Sequence, residues 1–208
     1  QLESRGHTLM YVADLTSAPN PLGYISLSDA VRPGAADAVN SLHRQGLNTV
    51  MLTGDNRHAA EAIASEVGIE RVIAEVLPGD KAEEVEKLRN AGKRVVMIGD
   101  GINDAPALAA ADIGMAMGSG TDVAMHTAGI TLMRGEPGLV IDALSISNAT
   151  YSKIRQNLFW ALIYNVIAIP MAASGLLNPV IAGAAMAMSS VSVVSNSLLL
   201  KRWGRQDR

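Results

Sequence analysis

Two aspartates four residues apart, Asp100 and Asp104 in "GDGIND", follow the apolar run "VVMIG" (Val95–Gly99) at the point where a helix begins. Carboxylates are the hard oxygen ligands that magnesium prefers. Two other segments carry matching chemistry. In "MLTGDN", Thr53 offers a hydroxyl and Gly54 an accessible backbone N–H, both suited to phosphate oxygens. In "LPGDK", Lys81 can set one positive charge against a phosphoryl group or a carboxylate. Phosphoryl transfer asks for little beyond positioning and charge neutralisation around a nucleophile. Taken singly, each residue has a plainer role, as a turn, a helix start or a helix cap. In this order, each after a strand-like run, they predict a phosphoryl site that binds Mg2+.

The elements around them read as alternating strands and helices. "LNTVMLTGD", "RVIAEV", "KRVVMIG", "DIGMAMG" and "ITLM" are apolar strand runs. Between them, "RHAAEAIASEVG", "GDKAEEVEKLRNAG" and "NDAPALAAA" have helical patterning, and "AADAVNSLHRQG" forms a helix ahead of the first. Gly46, Gly68 and Gly92 mark helix ends. Such alternation predicts an α/β fold, a parallel sheet covered by helices, with ligands gathering beyond the carboxyl ends of its strands. "TLMYVA" (Thr8–Ala13) and "PLGYISL" (Pro21–Leu27) form a strand pair before it.

Composition bounds the function classes. Lys and Arg number 17 against 20 Asp and Glu in 208 residues, so no basic surface points to nucleic acid. Cysteine is absent, which excludes disulfides and thiolate ligands within the chain. The opening "QLESRGHT" has neither an initiator Met nor a signal peptide, the start expected of a fragment.

Charge then disappears from the last quarter. Leu158–Leu177 is a run of 20 residues without a charge, and Val180–Leu200 one of 21, each long enough to span a bilayer. Lys153 and Arg155 precede the first run; Lys201, Arg202, Arg205 and Arg208 follow the second. By the positive-inside rule both ends face the cytoplasm and the hairpin tip faces out. Tyr164 and Asn165 lie mid-span in the first run; Met186 and Ser190 share one helix face in the second. A thioether selects a soft monovalent ion, whereas a calcium or sodium site needs carboxylates, which neither span has.

Thr53, Lys81 and the Asp100/Asp104 pair resemble the second to fourth motifs of the haloacid dehalogenase superfamily. "MLTGDN" with "MIGDGINDAPALAAADIGMAMGSGTDVA" is closer still to the P-type ATPases. The resemblance implies a Rossmann-like haloacid dehalogenase-type sheet with helices on both faces, between the β-hairpin and a two-helix transmembrane hairpin. It implies the closing strands of a nucleotide-binding domain over residues 1–28 and the C-terminal part of a phosphorylation domain over 29–135. A linker helix from about Glu136 and two spans would make up 136–208. Mg2+ and ATP would be the cofactors. Thr53 and Lys81 would hold the phosphoryl group, and Asp100 would bind magnesium with Asp104 in support. Gly54, Asp55, Asn56 and Asn103 would line the nucleotide side. Asp29 and Arg32, in the D-x-x-R spacing of "SDAVRPGA", would stand at the hinge.

The Tyr-Asn pair and the Met-x-x-Ser-Ser pattern are similar to the last two spans of copper(I)-transporting P-type ATPases. Tyr164, Asn165, Met186 and Ser190 would then complete a copper(I) or silver(I) site, with the ion delivered by a copper chaperone. Zinc-type relatives carry an acidic residue and a lysine here, and cobalt-type relatives a His-Glu motif. Ser192, Ser195 and Ser197 are expected to serve helix packing instead. The family's phosphorylated aspartate lies in "DKTGT", which does not occur in this chain. The cysteines of the ion site are missing as well, so the chain is expected to be inactive alone. The alternative is a membrane-tethered phosphatase with Asp14 as nucleophile, from the D-x-T of "LMYVADLTS". If the pump reading is right, Asp14 falls in a surface turn.

Overall fold

The computed structural model describes residues 8–15, 20–27, 30–118, 121–176 and 178–202. Asp29, and the Thr16 of the D-x-T pattern, lie outside the described residues. The chain divides into two compact units, Gln1–Ile141 and Asp142–Arg208.

The first unit opens with an antiparallel hairpin, β1 (Thr8–Asp14) and β2 (Asn20–Leu27), whose register slips between Val12 and Ala13. Asp14 is the last residue of β1, opposite Asn20, rather than part of the turn. After α1 (Ala35–Arg44) comes the expected alternation: β3 (Val50–Leu52), α2 (Arg57–Val67), β4 (Arg71–Ile73), α3 (Lys81–Asn90) and β5 (Val96–Gly99). Then follow α4 (Ala105–Ala110), β6 (Ile113–Met117), α5 (Asp122–Thr127) and β7 (Ile130–Leu132). The short α5, capped by the Thr121 hydroxyl, is a helix that periodicity did not predict.

Parallel pairing is confirmed, but in two hydrogen-bonded pieces among the described residues. One piece is β3–β4 and the other β5–β6–β7. The apolar runs around β3 and β4 also overstate the strands, which hold only three residues each. Beyond Ile73 the chain leaves the ladder through Glu75, the one non-glycine described residue with a left-handed backbone (φ 61°).

The core gathers on β6, whose Gly114–Met117 are all buried, with Met115 only 1% exposed. Leu108 of α4 and Ala124 of α5 close over Ala116, with Met97 of β5 packed alongside. This crowding explains Gly114: a Cβ there would lie 2.7 Å from the Leu108 carbonyl oxygen. By contrast, β5 leaves Val96 41% and Ile98 38% exposed, unusual for a strand in a parallel sheet.

At the amino-terminal end of β5, the Asp112 carboxylate accepts the Val95 N–H at 2.9 Å and faces Arg89 and Arg94. That hydrogen bond first, then the two guanidinium groups, holds its carboxyl below the ordinary aspartate range. Helix ends fall where the glycines stand. At Gly92 (φ 77°) the chain reverses as Lys93 N–H bonds the Leu88 carbonyl and Gly92 N–H that of Arg89, which closes the last turn of α3.

The second unit is built from α6 (Gly138–Ala173), which begins in the first unit, and α7 (Pro179–Leu198). Both are long and apolar enough to cross a membrane. The uncharged run predicted through Leu177 outlasts its helix. After Pro170, α6 stops at Ala173, where Gly175 (φ 74°) and Leu176 donate back to Ala172 and Met171. Asn178 caps α7 through the Val180 N–H.

Candidate functional site

The phosphoryl-type residues lie in loops at the carboxyl ends of β3, β4 and β5. Thr53 leaves β3 with its N–H bonded to the Ile73 carbonyl, extending the parallel ladder by one rung. Its hydroxyl donates to Asp55 Oδ2 at 2.7 Å and accepts the Asp55 N–H at 3.1 Å, a small closed loop that orients both side chains. Gly54 is exposed, and a Cβ on it would come within 3.2 Å of the Val76 carbonyl. Asn56 spends its side-chain oxygen on capping α2 through the Ala59 N–H.

The loops after β3 and β4 are joined by two backbone bonds, Val76 N–H to Thr53 O and Glu75 N–H to Asp55 O. Glu75 also accepts the first amide of α2, from Arg57, at 3.4 Å. Neither residue stood out in the sequence. The left-handed turn that brings Glu75 back over Asp55 has no signature there, because glycine or asparagine is the usual occupant.

Lys81, the first residue of α3, reaches the loop after β5. Its ammonium donates to Asp104 Oδ1 at 2.7 Å, in a pair that leaves the two side chains 15% and 13% exposed. The other Asp104 oxygen accepts the Gly101 N–H at 3.2 Å, so both oxygens are engaged inside the protein. Asp100 differs. Its carboxylate is 52% exposed and meets the Arg32 guanidinium at 3.4 Å, while its backbone carbonyl accepts the Thr121 N–H. Arg32 also donates to the Gly135 carbonyl at 2.9 Å. Asn103 is exposed in the 3-10 turn Ile102–Asp104.

The donor chemistry suits a hard divalent ion at Asp100. One exposed carboxylate at a strand end matches the way magnesium is held, by one or two carboxylates with substrate phosphates and retained water. Among the described residues, no group of three acidic, histidine or cysteine side chains forms a protein-only metal cage. Asp14 ends an antiparallel strand rather than a parallel one carrying a site loop.

In the second unit, the four residues expected at an ion site lie on two helices, Tyr164 and Asn165 on α6 and Met186 and Ser190 on α7. Tyr164 points at α7, its hydroxyl 3.4 Å from that of Ser192. Asn165, Met186 and Ser190 are exposed, Met186 by 74%. The Asn165 amide and the Ser190 hydroxyl each return to a carbonyl four residues back. Ser192 and Ser197 do serve helix pairing, Ser197 accepting from Asn157 at 2.8 Å. Asn196 links the helices as well, accepting from Lys153 at 2.9 Å and donating to Asn157 at 2.8 Å. Sequence reading missed this clasp, though an asparagine near each helix's charged end was its trace.

Comparisons with known proteins agree with this geometry. Residues 1–112, more than half the chain, match the haloacid dehalogenase-like hydrolase model. The chain is 53% identical over 204 residues to the probable copper-importing P-type ATPase A of Enterococcus hirae, covering 97% of this chain and 28% of that protein. It is 52% identical over 206 residues to the probable copper-exporting P-type ATPase V of Mycobacterium tuberculosis, covering 99% and 26%. A solved zinc-transporting PIB-type ATPase in an E2.Pi state superposes with a TM-score of 0.84 at 41% identity, covering 96% of this chain and 32% of that one. The chain thus spans about a quarter to a third of the length of these relatives. Loops, sheet and matched model point one way: the chain belongs to the haloacid dehalogenase-like hydrolase family.

Proposed function

We propose that this chain is part of an ATP-driven copper(I)-exporting P-type ATPase. It would supply the magnesium and phosphoryl-binding half of the phosphorylation site and two of the pump's membrane spans. The observation that carries the reading is a pairing within one chain. Candidate phosphoryl residues stand in the loops after β3, β4 and β5, and two apolar helices present Met186 with no Asp, Glu, Lys, Arg or His from Leu158 to Leu200. Such a span offers nothing to a hard divalent ion and suits copper(I), or silver(I) by the same softness.

Thr53 and Lys81 hold the transferred phosphoryl group by a hydroxyl and an ammonium. Lys81 is kept in place by Asp104, which positions it and ties down the Gly101 loop. Asp100 binds magnesium; when bound, the ion neutralises charge on the phosphoryl oxygens. Gly54, Asp55, Asn56 and Asn103 face the nucleotide, with Asp29 and Arg32 at the hinge. The nucleophilic aspartate comes from another part of the pump. A strand carrying it would pair with a free edge of β3 or β5 and cover Val96 and Ile98. Residues 1–28 close the nucleotide-binding domain, 29–135 belong to the phosphorylation domain and 136–208 carry the linker helix and spans. The spans sit in the cell membrane with both ends cytoplasmic, and a copper chaperone delivers the ion to a site that Tyr164, Asn165, Met186 and Ser190 share with other spans.

The test uses the complete pump carrying this sequence. Asp100→Asn should abolish phosphoenzyme formation from radiolabelled ATP. Met186→Ala should keep phosphorylation from inorganic phosphate but lose copper-stimulated ATP hydrolysis. Normal phosphoenzyme in Asp100→Asn would overturn the site assignment; unchanged copper stimulation in Met186→Ala would remove that residue from the ion path.

A further inference from the structure

One guanidinium touches both a carboxylate of the proposed site and the segment before α6. Arg32 Nη2 lies 3.4 Å from Asp100 Oδ2, and Nη1 of the same fork donates to the Gly135 carbonyl at 2.9 Å. Gly135 stands three residues before α6, whose first turn is set by Leu139 N–H on Glu136 O and Val140 N–H on Pro137 O. The fork is rigid, so it cannot swing far from Asp100 while keeping its bond to Gly135.

The Asp100 contact is long, with the two side chains 48% and 52% exposed. An ion pair of that kind is weak and easily exchanged for another cation. The bond to Gly135 is shorter and directed.

We propose that Arg32 competes with the divalent metal for Asp100 and, through Gly135, links metal loading to the entry of α6. This rests on the reading of Asp100 as the magnesium ligand. With Asp100 carrying only Arg32, the guanidinium balances its charge and holds the loop before α6. A divalent cation at the same carboxylate repels the guanidinium and weakens that hold. Arg32 is thereby a positioning residue acting against the metal, the opposite sign from a residue that helps to build the metal site.

The test is Mg2+ titration of the complete pump carrying this sequence, in detergent micelles. Affinity is read by calorimetry, and hydrogen exchange is followed at the Leu139 and Val140 amides. Arg32→Gln should tighten Mg2+ binding by about two- to fivefold, the range expected for loss of an exposed competing charge. Arg32→Lys, which keeps the charge but loses the fork, should leave the affinity close to wild type. In wild type, Mg2+ should speed exchange at the two amides; in both variants that response should vanish. Weaker Mg2+ binding in Arg32→Gln, or an exchange response that persists in it, overturns the proposal. Asp100→Asn separates the two levels. If it abolishes saturable binding while Arg32→Gln changes nothing, the metal site stands and the link falls. If it binds Mg2+ like wild type, or if wild type shows no saturable binding, the metal site itself falls and the link with it.

Discussion

Asp104 and Asp100 are four residues apart and have opposite fates. Asp104 is enclosed, with Lys81 on one oxygen and the Gly101 amide on the other; Asp100 faces solvent with a loosely held arginine. The spacing pointed to both as candidate carboxylates of one site but not to which would be engaged internally, because that depends on Lys81 arriving from another loop. Arg32 was legible as part of a D-x-x-R pattern. Its bond to Gly135, 103 residues away, was not. A third aspartate permits a pH test. Asp112 has its carboxyl held low by the Val95 amide and two arginines, so it stabilises the fold when ionised. That contribution is present above the ordinary aspartate pKa of about 4 and is lost as pH falls through the lowered value. Asp112→Asn should therefore lower the thermal midpoint at pH 7, with the gap to wild type closing as pH falls below the ordinary aspartate range. A gap that stays constant as pH falls would show that the carboxylate charge contributes nothing.

At the scale of elements, alternation and helix-ending glycines were readable because they are local, while the break between β3–β4 and β5–β6–β7 was not. Pairing partners lie far apart in sequence, and an apolar run looks the same whether or not it has a neighbour on each side. Nor does a run show where it leaves the ladder, as β4 does before Glu75. The glycine ending β5 shows an element and a site residue constraining one another. A Cβ on Gly99 would fall 2.7 Å from Asp104 Cβ and 3.0 Å from its Cγ, displacing the carboxylate that holds Lys81. Gly99→Ala should cost about 1–3 kcal/mol of folding stability. Gly101→Ala, where the nearest atom is 3.4 Å away, should cost clearly less. Chemical denaturation of the two variants decides it; equal losses would mean that the close approach at Gly99 is relieved without strain.

For the molecule as a whole, the two long apolar helices were legible from an absence of charge, a signal that needs no tertiary information. How they pair was not, since Lys153, Asn157 and Asn196 meet only once both helices are formed. The proposed orientation can be checked directly, because the chain contains no cysteine. In inside-out vesicles, an impermeant maleimide should label Ser147→Cys at once and Ser174→Cys only after permeabilisation. The reverse order would invert the topology. Among the described residues β5 pairs on one side only, with β6, and leaves Val96 and Ile98 exposed. An uncovered apolar strand is a surface that templates misassociation and attracts chaperones and proteases. If the strand proposed above seats beside β5, Val96 and Ile98 should become less accessible in the complete pump than in this chain alone.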